Sequence, residues 1–412
     1  MKTPFSIFTL LLGFFLATFI ACKDHVIPET DPEVSVDSTS TTVDSTAMSV
    51  DSTGMPDDSM GTGGPGGSGS GASVETSTAV TAAMYTMLMT NTSCAGATGL
   101  AKVVCLTQAF EATLTTTQLS ATQLPYTLAN AQKWSNLPAG LSARYGINLA
   151  SLDASQRTAF KDLMLAVLAL NVTDEGYDEM IGSMVADNYL AVNGGGTTYG
   201  AGNYYVSILG TPSTTGTWEL LFTGHHYTQP YTFNGTGGSG YTPAFRAIEP
   251  TYTVTENGKT YQPMEQERLA FAAMLTGLST SEQAAAKITS TFGDVVLGPG
   301  QDWKFPTTKV GLKVGGLSSD KQALVLNAIK LYVNDLDAVS AAAVLDKYTN
   351  ELAETYISYS GNTSVTASND YIRIDGPNVW IEFSYQGGVI IKNMPHPHSV
   401  WRDRTTDYGG TK

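Results

Sequence analysis

The hydrophobic pattern divides the chain into three stretches of different character. Phe5–Ile20 is almost continuously apolar. From Lys23 to about residue 75 no period survives, and small polar residues dominate. From residue 76 apolar positions recur at helical spacing: Thr76–Met89, Leu100–Leu114, a segment opened by Asp153 and running through Phe160, Leu163 and Leu168, and one opened by Thr173-Asp174-Glu175. An aspartate or threonine just ahead of such a stripe is a helix start signal, because its side chain accepts from the first free amides. After Gly194-Gly195-Gly196 the period falls to two, which predicts strands at Tyr204–Leu209 and Thr217–Thr223. Helical spacing returns at Glu265–Leu278, Ser281–Thr289, Ser318–Val333 and Ala338–Tyr356. Strands then follow at Tyr371–Ile374, Val379–Tyr385 and Val389–Lys392. Together these predict an α+β fold, a single globular domain over 76–412 with antiparallel hairpins packed against several helices.

The first stretch has the form of an export signal over residues 1–21: one lysine, a short apolar run, and Ala21 before Cys22. The run is about 16 residues, short of the roughly 20 that span a bilayer. Phe19-Ile20-Ala21-Cys22 resembles the lipobox of bacterial lipoproteins, with phenylalanine in place of the usual leucine. The resemblance implies that Cys22 is acylated and becomes the mature N-terminus, a membrane anchor. Lys23 stands where an aspartate would resemble an inner-membrane retention signal, so an outer-membrane lipoprotein is expected, facing the periplasm or the cell surface. Lys23-Asp24 resembles the surface-export signals of Bacteroidota lipoproteins.

Residues 22–75 are then expected to form a disordered tether. Val-Asp-Ser-Thr recurs at 36, 43 and 50, but one small apolar residue per seven cannot build a packed seam. Asp37, Asp44, Asp51 and Asp58, each followed by serine, resemble the O-glycosylation sequon of the same bacterial group; an unmodified spacer is the other reading. A net charge of −15 disfavours nucleic acid as a partner, since no basic footprint exists to neutralise phosphates. Of three cysteines, Cys94 and Cys105 remain after Cys22, an even pair expected to form a disulfide in an oxidising compartment.

The five histidines are unevenly placed: His25 in the tether, and two pairs, His225-His226 and His396-Pro397-His398. Each pair is expected beside a strand end, where a rigid scaffold commonly carries its site. Neutral imidazole is a favoured ligand for zinc, copper or iron. Adjacent residues of an extended chain point to opposite faces, so His225 and His226 are not expected to share one ion, whereas His396 and His398 can. Glu249 and Glu382 are the candidate bases, and Arg402 a candidate partner for an anionic group. A metal-free polar site, or a purely structural role for the histidines, competes with the metal reading. No nucleophile elbow, phosphate loop or dinucleotide fingerprint occurs at a strand-to-helix junction.

Gly224-His225-His226, Thr242-Pro243-Ala244-Phe245 leading to Glu249-Pro250, Tyr371-Ile372-Arg373-Ile374-Asp375-Gly376-Pro377, and His396-Pro397-His398-Ser399-Val400-Trp401-Arg402-Asp403 together resemble the family catalogued as domain of unknown function 3500. The resemblance covers about 80–408. Arg246 and Pro397 depart from its pattern. It implies that both histidine blocks and Glu249-Pro250 belong to one site, and it supplies no reaction. The expectation is therefore an exported lipoprotein with a His/Glu site, a metal-dependent hydrolase or oxidoreductase. The competing reading is a non-catalytic lipoprotein that binds a small envelope ligand or a glycan.

Overall fold

The structure, a computed structural model, describes residues 71–412 except Thr236. The signal segment, Cys22 and nearly all of the tether lie outside the described residues. The helices that position the site are α1 (Val74–Met84), α2 (Gly99–Glu111), α3 (Ala154–Met164), α4 (Tyr177–Leu190), α5 (Glu265–Thr276), α6 (Ser319–Val333) and α7 (Ala338–Glu351). Asp153 does cap α3: its carboxylate accepts from Gln156 N, and the Gln156 side chain accepts from Asp153 N. Such a reciprocal box stabilises a helix start by about 1 kcal/mol. Cys94 and Cys105 are joined, tying the segment before α2 to the middle of that helix. Closing a loop of this size contributes about 2–3 kcal/mol in the chain-entropy model. Among the described residues no helix is long and apolar enough to cross a membrane.

The principal strands are β1 (Tyr205–Leu209), β2 (Trp218–Thr223), β3 (Tyr227–Phe233), β4 (Ala244–Ala247), β5 (Tyr356–Ser360), β6 (Tyr371–Asp375), β7 (Val379–Gln386) and β8 (His396–Asp403). They form one twelve-stranded sheet in the spatial order β1-β2-β3-β4-β8-β7-β6-β5, with short strands added at its margins. Each half of the chain thus contributes a four-strand antiparallel meander, and the last strands of the two meanders pair at a central seam.

The halves repeat one another in detail. Ile147–Asn148 pairs with β1 and leads through a 3-10 turn into α3; Leu312–Lys313 pairs with β5 and leads through a 3-10 turn into α6. Gly146 and Gly311, at φ +97° and +94°, occupy matching corners. A Cβ at either would lie 2.2 Å from the carbonyl oxygen of Val206 or Ile357 respectively, so both corners require glycine. The hairpin from β2 to β3 closes with Gly224 N donating to Tyr227 O (2.7 Å), and that from β6 to β7 with Gly376 N donating to Val379 O (2.8 Å). Leu168 and Leu336, which follow α3 and α6, form an antiparallel bridge with each other, as expected of residues beside a local two-fold.

Both faces of the sheet are covered. On one, Phe222 packs against Phe160 of α3 and Phe383 against Phe271 of α5. Arg246 stands on this face and is buried: its guanidinium donates to Glu179 Oε2 (2.9 Å), Gln229 Oε1 (2.8 Å) and Asp335 Oδ2 (3.1 Å), and lies 4.0 Å from the Tyr227 ring centre. Removing one partner of such a buried pair costs about 3–5 kcal/mol, because the other is left uncompensated. Glu175, Glu179 and Glu267 crowd the same place, and burial, then Asp335, raises the pKa of all three.

The opposite face carries polar side chains under irregular loops. Trp134 packs on Phe245, Phe292 stacks on Tyr371 at 3.9 Å, and Phe305 meets Trp380 edge-on. This double burial removes the period-two signal, which explains why β3, β4 and β5 were not expected from the sequence. Other expected elements also differ: the first helix ends at Met84 and not Met89, and the helix expected at Ser281–Thr289 spans Thr280–Ala286. The helix at Ala338 ends at Glu351, and β5 begins at Tyr356. Val389–Lys392 is not a strand; the last strand is His396–Asp403, containing the histidine pair.

Glu219, on the loop-covered face, is fully buried, and burial pushes its carboxyl up to about 7 despite a bond from Thr232 Oγ1. A raised carboxyl favours the folded state below the unfolded pKa, and that contribution is lost as pH rises towards 7. Relative to wild type, Glu219→Gln should therefore gain stability between pH 4.5 and 7, by about 3 kcal/mol at the upper end. Urea denaturation across that range measures it; a pH-independent difference would refute the assignment.

Candidate functional site

The two histidine pairs meet at one end of the central seam. His398 pairs with Ala247 and Ser399 with Arg246, which sets β8 against β4. Just beyond, Ala247 N donates to the His226 carbonyl (2.8 Å) and Ile248 N to the Pro397 carbonyl (3.3 Å). Two successive amides therefore hold one residue of each histidine segment. Gly224 precedes the first pair because a Cβ there would meet the Tyr204 ring at 2.3 Å.

His396 and His398 are two apart in a strand and share a face, as expected, with Nε2 atoms 3.2 Å apart. Two ligands each 2.0–2.1 Å from a tetrahedral ion are separated by about 3.4 Å. His226, His396 and His398 each offer one nitrogen, and the three nitrogens lie within 4.8 Å of one another. All three residues are buried.

The expectation for the first pair needs correcting. His225 and His226 do not point to opposite faces: His226 has φ +58°, in the left-handed region, and the two rings stack with centres 3.5 Å apart. The alternation rule holds for extended backbone, and His226 is not extended. His225 nevertheless stands outside the three-nitrogen group.

Two carboxylates that the sequence did not single out orient these rings. Asp187 Oδ1 accepts from His225 Nδ1 (2.6 Å), and Asp294 Oδ1 accepts from His398 Nδ1 (3.1 Å), where the Gln386 amide also approaches. An ionised carboxylate is an acceptor only, so a ring nitrogen facing one acts as the donor, and the opposite nitrogen of His398, Nε2, is the one that faces the cluster. Burial, then the neighbouring imidazoles, lowers the pKa of His226 well below its ordinary value and that of His396 to about 3. Both rings are neutral at physiological pH. His396 Nδ1 is buried without a hydrogen-bond partner. Asp187 and Asp294 have no motif around them; only the fold brings them to the histidines.

The three side chains expected to carry chemistry are placed as loop braces. Glu249 Oε1 accepts from Val389 N (2.9 Å), Ile390 N (3.0 Å) and Ile391 N (2.8 Å), which explains why that apolar run is a loop. Three amides wrapped on one carboxylate cannot also enter a ladder. Glu382 accepts from Val296 N, Leu297 N, Tyr371 Oη and Trp380 Nε1, filling both oxygens. Arg402 donates to Asp302, Asp407 and the carbonyls of Leu297 and Gly298. Glu249 thus borders the site by holding the loop that leads into His396, while Glu382 and Arg402 fasten the cover of the sheet.

Access is narrow. His396 is 1% exposed and His225 and His398 are 6% exposed. A cleft of about 160 Å³ beside Val74, Tyr189 and Val192, and one of about 130 Å³ beside Tyr241, Lys347 and Trp401, are lined by none of the four histidines.

Glu249→Ala should free the 389–391 loop. Hydrogen exchange at the amides of Val389, Ile390 and Ile391 is expected to accelerate at least tenfold, with amides in β2 unchanged; unchanged exchange in the loop would show that other contacts hold it.

No curated protein and no solved structure matches the chain. The sequence from residue 97 to 410 matches one family profile, which takes in both histidine pairs, their two carboxylates and the seam between the half-sheets. The chain belongs to the family described as Protein of unknown function (DUF3500).

Proposed function

We propose that the folded domain is a transition-metal centre, carried by an exported lipoprotein, in which His226, His396 and His398 bind one ion. The observation that carries this reading is the close approach of three buried imidazole nitrogens, two of them 3.2 Å apart. Bringing three buried imidazole nitrogens together in the interior is unfavourable unless something shared lies between them. A cation does this for all three at once. An N–H···N bond between His396 and His398 would satisfy only that pair, and is the metal-free alternative.

Three histidine ligands would leave room for a further one, the arrangement of catalytic rather than structural zinc sites. An ion held by His226, His396 and His398 would supply Lewis-acid activation of water near neutral pH. Metal-dependent hydrolysis is accordingly the leading reaction class, with copper or iron oxidoreductase chemistry next. The burial of the histidines favours a small reacting group over an extended one. Non-catalytic binding of an envelope ligand or glycan is the competing function.

Protein purified without chelator is expected to carry about one zinc, copper or iron per chain by elemental analysis, and His396→Ala/His398→Ala less than a tenth of that. Wild-type protein that neither carries nor takes up such a metal would end this reading.

The export half of the proposal rests on Phe5–Ile20 and the tetrad ending in Cys22. Several acyl chains, each burying methylenes at about 0.8 kcal/mol apiece, hold a protein stably on a membrane. Cys22→Ser should shift the protein from the membrane pellet to the soluble fraction; unchanged sedimentation would argue against lipidation.

A further inference from the structure

We infer that His225 is a positioning residue that fixes His226 by stacking on it, and that it does not ligate the ion. The inference rests on the metal reading above and concerns how that site is built.

His226 is held in a left-handed conformation that costs a non-glycine residue about 1–3 kcal/mol, so its surroundings must impose it. The His225 ring supplies the imposing surface, lying over His226 at 3.5 Å with an interplanar angle of 26°. His225 is itself clamped. Its Nδ1 donates to Asp187, whose second oxygen accepts from Gly200 N (3.0 Å), and the Tyr199 ring meets it edge-on at 4.9 Å. Asp187 near the end of α4 therefore steers His226 through an intermediate ring, as Asp294 steers His398 directly.

The second half of the chain shows that this clasp belongs to the architecture. Its matching turn, Gly376-Pro377-Asn378-Val379, contains no histidine. There too a carboxylate from the end of the adjoining helix holds the turn: Glu351 of α7 accepts from Asn378 N (3.1 Å) and from the Asn378 side-chain amide. The residue held is the third of the turn in this half and the second in the other. A carboxylate clasp thus exists where no metal ligands do. In the first half the clasped side chain is a flat ring, and the free neighbour it supports is the ligand.

The test uses the full chain loaded with Cu(II), with coordinated imidazole nitrogens counted by pulsed electron paramagnetic resonance. His225→Phe keeps a stacking ring. It is expected to retain one metal per chain, an unchanged nitrogen count and an affinity within about tenfold of wild type. His225→Ala and the milder Asp187→Asn should weaken binding by about 10–100-fold, the usual range for outer-shell groups, again with an unchanged nitrogen count. His226→Phe should lose stoichiometric binding. Loss of one nitrogen in His225→Phe would make His225 a ligand and overturn the inference. So would wild-type affinity in both His225→Ala and Asp187→Asn. A wild-type chain that takes up no metal is a different failure, visible before any variant is made, and falls on the metal reading itself.

Discussion

The antiparallel seam between β4 and β8 is the constraint on which the rest depends. Each half of the chain can lay down its own meander, but each meander ends in a strand with one unpaired edge. Pairing His398 with Ala247 and Ser399 with Arg246 closes both edges at once. The same register carries the His225-His226 turn to the head of β8, because the amides of Ala247 and Ile248 reach carbonyls on either side. A slip of one residue would turn every β8 side chain to the other face and remove His396 and His398 from His226. Register, more than any single contact, makes the site.

Burying both faces of such a sheet has a cost, and the acidic and basic residues show how it is met. Where an antiparallel sheet would usually expose polar side chains, Glu382 and Arg402 bind the backbone of the covering loop between them, through Val296, Leu297 and Gly298. On the helical face Arg246 joins α4 and the α6–α7 connection to β4 through Glu179 and Asp335. These buried charged groups therefore act as internal fasteners. Glu249 belongs with them: it shapes the approach to His396 by holding three amides.

Much of the α+β architecture was legible. Asp153 marked a helix start because capping is local, and Tyr204–Leu209 with Thr217–Thr223 read as a hairpin because turn and period agree there. The two-half repeat was not. It survives in sequence only as sparse matches such as Gly146-Ile147 with Gly311-Leu312, separated by insertions, and needs coordinates to align. β3 was hidden by Pro230 and by burial on both faces, and the 389–391 loop was disguised by an apolar run that reads as a strand. At the site, the His396–His398 geometry followed from strand spacing, while the stacking of His225 on His226 depends on one left-handed residue that no pattern announces. Asp187 and Asp294 are distant in sequence from the rings they orient.

In the proposed centre, three histidines from the two halves of one sheet share an ion. Diffraction data from metal-loaded crystals, collected on both sides of the metal's absorption edge, test it most directly. A single anomalous peak is expected about 2.0–2.1 Å from one nitrogen each of His226, His396 and His398, with the His225 ring stacked alongside and uncoordinated. A peak elsewhere, or none with the His396 and His398 nitrogens still in contact, would contradict it.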